Sequence, residues 1–286
     1  MRILYQFIIK ATPVAQVREN QSRWYKNSVL ALLFVASIFI SSNSSAAIVS
    51  DTVEYKDGLL NLRGTIAYDD AVKTPRPGIL LFPEWWGHNA YIKRRAYELA
   101  ARDYVVFIAD MYGDAKVTND PKQAQEWSAE LYSNRVLMRE RALAALLVLK
   151  QQKYLNKNNI AAIGFCMGGT VALEMARSGE DLKGVAAFHA GLQFPDPVAK
   201  DSVIAKILVM NGGADPLVPV AERNAFVEEM QAADSDLQFI QYGGAMHAFT
   251  NPDATRLNIP GIAYNAKAER RSFKTLYSFL DEIFGH

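Results

Sequence analysis

The chain has 286 residues, 50% of them hydrophobic, 21% charged and 11% aromatic, with a formal net charge of +1. This is ordinary globular composition with ample apolar material for a core; it excludes a disordered chain and a nucleic-acid binder that relies on a basic surface. A single cysteine, Cys166, excludes an internal disulfide and a thiolate cluster for zinc.

Residues 1–46 read as a secretory signal and 47–286 as one domain. Val29 to Ile40 is an apolar-plus-serine run preceded by Arg18, Arg23 and Lys26 and followed by Ser41 to Ala47. The run is shorter than the roughly 20 residues a membrane span needs, and the small residues after it offer cleavage after Ala46 or Ala47. The long stretch before it leaves an uncleaved anchor as the alternative. Of the 31 basic and 30 acidic residues, five and one lie within 1–46, so the mature chain carries 26 and 29, a net charge of about −3. The expected location is the periplasm or the medium, with no stable membrane association after cleavage. A lone thiol kept in an oxidising compartment is exposed to sulfenic acid and mixed-disulfide formation, so its presence points to use.

After this leader, Thr52 to Tyr55 and Leu60 to Tyr68 alternate at period two around Asp57-Gly58 and predict an antiparallel hairpin. Gly78 to Phe82 is a continuous apolar run of the kind buried on both faces. Strands and helices then alternate. Ile92 to Arg102 is amphipathic, Tyr104 to Ala109 is a strand, and Asn119-Asp120-Pro121 opens a helical stretch that runs, with a break, to Lys150. Strands follow at Ala161 to Ile163, Gly184 to Phe188, Ile207 to Met210 and Gln238 to Ile240, with helices over Pro219 to Gln231 and Ala266 to Phe284. Repeated βα units after an antiparallel start predict one doubly wound, mostly parallel sheet.

The chemistry centres on Gly164-Phe165-Cys166-Met167-Gly168-Gly169, between an apolar strand and the helix-like run Thr170 to Ala176. Strand, glycine-flanked turn, nucleophile and helix make a nucleophile elbow of the G-x-S-x-G type with cysteine for serine. A buried structural cysteine beside a packing turn is the competing reading. Against it stand three further polar residues that follow strand runs, where ligands bind in open α/β sheets. These are Glu84, Asp215 in Asn211-Gly212-Gly213-Ala214-Asp215-Pro216, and His247 in Gly243-Gly244-Ala245-Met246-His247. The order Cys166, Asp215, His247 is that of an α/β-hydrolase triad. A thiol of pKa about 8.5 needs a base, which His247 supplies, and Asp215 is needed to hold the imidazole in the right tautomer. His189 also follows a strand and is the fallback base. The amides of Met167 and Trp85 are the expected oxyanion donors.

The segments Phe82 to Gly87, Ala109 to Gly113, Gly164 to Gly169, Gly212 to Pro219 and Gly244 to Phe249 together resemble the dienelactone hydrolases of the α/β-hydrolase superfamily. The resemblance spans the mature chain. It implies the α/β-hydrolase fold, a Cys-His-Asp triad on Cys166, no cofactor, no metal, and an auxiliary glutamate, Glu84, that receives the thiol proton when substrate binds. It also implies that Trp85 and Trp86 line the pocket mouth, and that Trp86, Tyr112, Phe249 and Asn251 contact substrate. Asn251 stands where the family carries an arginine for a substrate carboxylate, and Asp114 to Asn134, where it carries the second, contains no arginine, with Lys116, Lys122 or Arg135 as the alternative cations. The expected activity is therefore hydrolysis of a small-molecule ester or lactone, with the carboxylate-bearing lactone in doubt. A thioesterase or peptidase would use the same residues, and a non-catalytic binder on the same scaffold would not need them intact.

Export predicts that protein recovered from periplasm or medium begins at Ala47 or Ile48 by mass spectrometry. An intact Met1 in washed membranes would instead establish an anchor.

Overall fold

Alternation at period two builds the first two strands, β1 (Ile48–Asp57) and β2 (Leu60–Asp69), which pair antiparallel from Ile48 opposite Asp69 to Asp57 opposite Leu60. The structure, a computed structural model, describes residues 48–285, and the expected signal segment lies outside the described residues. The chain continues through β3 (Arg76–Phe82), α1 (Ala90–Ala100), β4 (Val105–Ile108), α2 (Pro121–Ser133), α3 (Arg135–Lys150), β5 (Leu155–Phe165) and α4 (Met167–Arg177). It ends with β6 (Gly184–Phe188), β7 (Lys206–Gly212), α5 (Val220–Ala232), β8 (Leu237–Tyr242), a 3-10 turn (Ala254–Leu257) and α6 (Ala266–Phe284).

All eight strands form one sheet in the order β1-β2-β4-β3-β5-β6-β7-β8. β2 pairs antiparallel with β4, and β3 to β8 run parallel. The doubly wound sheet with an antiparallel hairpin is thus the fold observed. Helices cover both faces, which is why the central strands are continuous apolar runs. Leu80 and Phe82 face a layer that includes Leu131, Met138, Leu146, Val171 and Phe226 from α2 to α5. Ile79 and Leu81 face Ile92 and Leu99 of α1 and Phe273 and Leu276 of α6. Each such side chain contributes about 1.5–3 kcal/mol on burial, so the strand ends rest on a close-packed base.

The break expected before Lys150 falls at Asn134, whose extended backbone ends α2 and whose side chain accepts from the Leu137 amide to start α3. The β6–β7 connection departs from the βα alternation. Residues 189–205 contain no helix, and Pro195 and Pro197 explain it, because each removes a backbone donor.

The topology chooses the site. From β3 the chain moves outward to β4 and then returns to lay β5 on the other side of β3, so strand order reverses between β3 and β5. Ligand crevices in open α/β sheets open at such a switch, at the carboxyl ends of the strands. Phe82 pairs with Gly164 there. The loop bearing Glu84 and Trp85 and the turn bearing Cys166 therefore leave the sheet side by side.

Candidate active site

Cys166 follows β5 and caps α4 with φ 55° and ψ −121°, a positive-φ backbone that costs a non-glycine residue about 1–2 kcal/mol. Its neighbours fix it. The Cys166 amide donates to the Phe188 carbonyl at 3.0 Å, and the Gly169 amide donates back to the Cys166 carbonyl at 2.9 Å. The flanking glycines are required by close approach: a Cβ on Gly164 would lie 1.9 Å from the Gly168 carbonyl oxygen, and one on Gly168 would lie 2.4 Å from the carbonyl oxygens of Phe82 and Pro83. All of α4 behind the turn is buried.

The loops after β7 and β8 bring the other two side chains to this turn. His247 Nε2 lies 3.1 Å from Cys166 Sγ, and Nδ1 lies 2.8 Å from Asp215 Oδ2. The second Asp215 oxygen accepts from the Leu217 amide at 2.8 Å, so the carboxylate cannot rotate away. His247 is held on both sides of its backbone, donating to the Gly261 carbonyl and accepting from the Ala263 amide. Burial of the ring opposes a charge, but the sulfur of Cys166 and the Asp215 carboxylate outweigh it and push His247 up to about 10. The ring is thereby biased toward its protonated form.

Glu84 is buried, and its carboxylate turns to Asn251, whose side-chain amide donates to Oε2 at 2.8 Å. It makes no hydrogen bond to Cys166. Asn251 is thus occupied by Glu84, and its Oδ1 accepts from the Asp253 amide, so the expected substrate contact at 251 is not free. Glu84 Oε1 has no partner among the described residues. Burial pushes the carboxyl up to about 7, against the opposing pull of Asn251, His247 and Arg95.

His189 is not placed as a base. It is fully buried, its Nδ1 accepts from the Cys166 amide at 3.1 Å, and Nε2 therefore carries the proton and donates to Thr250 Oγ1 at 2.8 Å. Burial and the facing His247 hold it well below its ordinary value, so it stays neutral. Thr250 in turn meets the Tyr91 hydroxyl at 2.7 Å, and the Arg95 guanidinium donates to the Thr250 carbonyl. Period and motif gave no sign of this chain, although Thr250 stands three residues after His247.

Of the other expected contacts, Trp85 is half-buried and packs edge-on against Trp86 at 5.0 Å between ring centroids. Trp86, Tyr112 and Phe249 are buried. Phe249 is fully enclosed between His189 and Tyr242, and the Tyr112 hydroxyl turns inward to the Trp85 carbonyl, so both support the site from behind. Their aromatic character fitted a pocket wall and a core equally well. Tyr132, which sequence did not single out, places its hydroxyl 3.5 Å from Thr170 Oγ1, one turn after Cys166. Among the described residues no three His, Cys, Asp or Glu side chains group as a metal site. The amides of Trp85 and Met167 donate to no other described residue.

A sharp strand-to-helix turn bearing Cys166 at the switch of a doubly wound sheet, with an acid after β7 and a histidine after β8, is the arrangement of the α/β-hydrolase fold. The sequence profile of the dienelactone hydrolase family matches residues 62–284, and the chain belongs to that family. The dienelactone hydrolase-like promiscuous phosphotriesterase P91 from metagenomic libraries is 36% identical, with a TM-score of 0.79 over 83% of this chain and 99% of that one. Carboxymethylenebutenolidase of Pseudomonas putida is 27% identical over 64% of this chain and 79% of its own length. An uncharacterised protein of Caenorhabditis elegans is 38% identical over 51% of this chain and 94% of its own. The protein is a dienelactone hydrolase-like hydrolase.

The buried Glu84 carboxyl yields a stability prediction. Its pKa is raised from 4.5 to about 7, so the folded state binds the proton more tightly than the unfolded state. The stability this confers is complete below about 4.5 and is lost as pH rises through about 7, a difference of up to about 3 kcal/mol. Glu84→Gln removes the ionisable group. Urea unfolding should show the variant gaining on wild type between pH 4.5 and pH 8, whereas parallel pH curves would contradict the raised carboxyl.

Proposed function

We propose that the protein hydrolyses carboxylic esters or lactones through an acyl-thioester on Cys166, with His247 and Asp215 as its base and orienting acid. The observation that carries this reading is the continuous contact from Cys166 Sγ through the His247 ring to Asp215. The thiol proton passes to His247 Nε2, sulfur attacks the carbonyl carbon, the S–C bond forms, and the carbonyl electrons move onto oxygen, which the amides of Trp85 and Met167 receive. On collapse the C–O bond breaks, and His247 gives its proton to the leaving oxygen. The neutral imidazole then takes a proton from water, the water oxygen attacks the acyl carbon, and the thiolate departs.

Two features narrow the substrate. Asn251 donates to Glu84 and, as an asparagine where the family carries an arginine for a substrate carboxylate, supplies no cation there. Leu217 and Met246, beside Asp215 and His247, are exposed and apolar. Uncharged, moderately apolar esters or lactones fit this better than dicarboxylates. The ionised Glu84 would favour the imidazolium of His247, so its role in this reading is electrostatic, in addition to any proton transfer. The likeness to a promiscuous phosphotriesterase supports a second reading, slow attack by Cys166 on aryl dialkyl phosphates. The apolar run Val29 to Ile40 supports action after export.

Cys166→Ala should retain the wild-type circular dichroism spectrum and fall below about 1% of wild-type turnover on short p-nitrophenyl esters, with His247→Ala similarly low because such residues act as a unit. A panel that adds acyl-thioesters and aryl phosphates ranks the alternatives. Substantial ester turnover by Cys166→Ala would refute the mechanism.

A further inference from the structure

An oxyanion hole works only if its donors are aimed before the charge develops, because reorganising them during the reaction forfeits the stabilisation. Met167 is anchored by α4, but Trp85 lies on a loop with no regular structure. What fixes that loop is a neighbouring one, residues 110–118, which follows β4.

The grip is specific. Thr118 donates its amide to the Trp86 carbonyl at 3.1 Å, and His88 donates to the Lys116 carbonyl at 3.2 Å. The two backbones run so close that a Cβ on Gly87 would lie 2.0 Å from the Lys116 carbonyl oxygen. The gripping loop is itself organised by Asp110, which is buried. Its Oδ1 accepts from the amides of Tyr112 and Gly113, and its Oδ2 from those of Arg63 and Ala115, at 2.8–2.9 Å. Tyr112 therefore leaves a rigid backbone, and its ring is backed by Trp127 at 5.3 Å between centroids.

The Tyr112 hydroxyl reaches both donor residues. It lies 3.1 Å from the Trp85 carbonyl oxygen and 3.0 Å from the sulfur of Met167. The peptide group before the Trp85 Cα is pinned by the Gly87 amide, which donates to the Glu84 carbonyl at 3.1 Å. The peptide group after it is pinned by Tyr112. The Trp85 N–H lies in the first of these planes, held by a tight turn, and the second plane, joined to it at the Trp85 Cα, is held by a single phenol, so the donor residue is fixed from both sides.

We propose that Tyr112 is a positioning residue whose hydroxyl fixes the two halves of the oxyanion hole, Trp85 and Met167, relative to one another. The assignment rests on the acyl-transfer reading above. Burial and the nearby sulfur of Cys166 raise the phenol well above its ordinary range, so it remains a donor at every pH at which the enzyme would operate. It touches no reacting atom.

Two reactions of Cys166 separate this role from others. Ester cleavage develops an oxyanion; alkylation by iodoacetamide displaces iodide at a saturated carbon and develops none. Tyr112→Phe in the full mature chain should lower kcat on a short p-nitrophenyl ester about 10- to 100-fold, below the effect of deleting a donor outright, with KM within about two-fold. Its iodoacetamide rate should equal that of wild type. Met167→Leu keeps the main-chain donor and the Trp85 bond but loses the sulfur contact; it should lower kcat by about two- to five-fold, again with unchanged alkylation, and supplies the test if Tyr112→Phe does not fold. Unchanged kcat in Tyr112→Phe would overturn the assignment, as would a parallel fall in turnover and alkylation, which would place the effect on the thiol. Wild type that turns over no ester would overturn the acyl-transfer reading itself, and the assignment with it.

Discussion

The backbone of Cys166 is held in a conformation that L residues avoid, and the site depends on that one turn. The turn places Cys166 between the end of β5 and the first residue of α4. The price of about 1–2 kcal/mol is small against the apolar burial of β5 and α4, but it persists only because the surroundings leave the chain no alternative. Gly164 permits the close approach of the first turn of α4, Gly168 permits that of the end of β3, and β3 lies adjacent only because strand order reverses there. The fold and the turn at Cys166 are linked by sterics at the carbonyl oxygens of Phe82, Pro83 and Gly168.

Charge is distributed around this turn with unusual economy. His247, between Cys166 and Asp215, is the group pushed toward a proton, while His189, 5.2 Å away between ring centroids, is kept neutral by burial and by the charge on His247. Two histidines of the same reference pKa thus take opposite states. The difference lies in their partners: a sulfur and a carboxylate for one, a main-chain amide and a hydroxyl for the other. Glu84 takes a third course: burial raises its carboxyl to about 7, and the one hydrogen bond it accepts among the described residues, from the neutral amide of Asn251, opposes that rise without cancelling it.

The sheet, its hairpin and the meeting of Cys166, Asp215 and His247 were legible in the sequence, whereas the helical break was expected without a position and falls at Asn134. Apolar runs, capping residues and glycine spacing are local signals, and the parallel topology then carries strand-end residues to a common edge. The contacts that were not legible join side chains far apart in the chain. Nothing in Asn251 announces that its amide spends itself on Glu84, and Phe249 looks the same whether it lines a pocket or seals a core. Tyr112 was legible as part of the site but not in its orientation, since its hydroxyl is directed by Asp110 and by the close approach of a separate loop. His189 matched the pattern of a base, yet burial and its bond to the Cys166 amide give it a fixed neutral tautomer.

The central claim is a covalent acyl intermediate on Cys166, and it is tested most directly by mass spectrometry of the enzyme quenched with acid during turnover of a p-nitrophenyl ester. The account predicts a mass increase equal to the acyl group on the peptide that contains Cys166, appearing with the first release of nitrophenol and decaying as substrate is exhausted. Turnover with no such adduct, or with the acyl group on another residue, would contradict it.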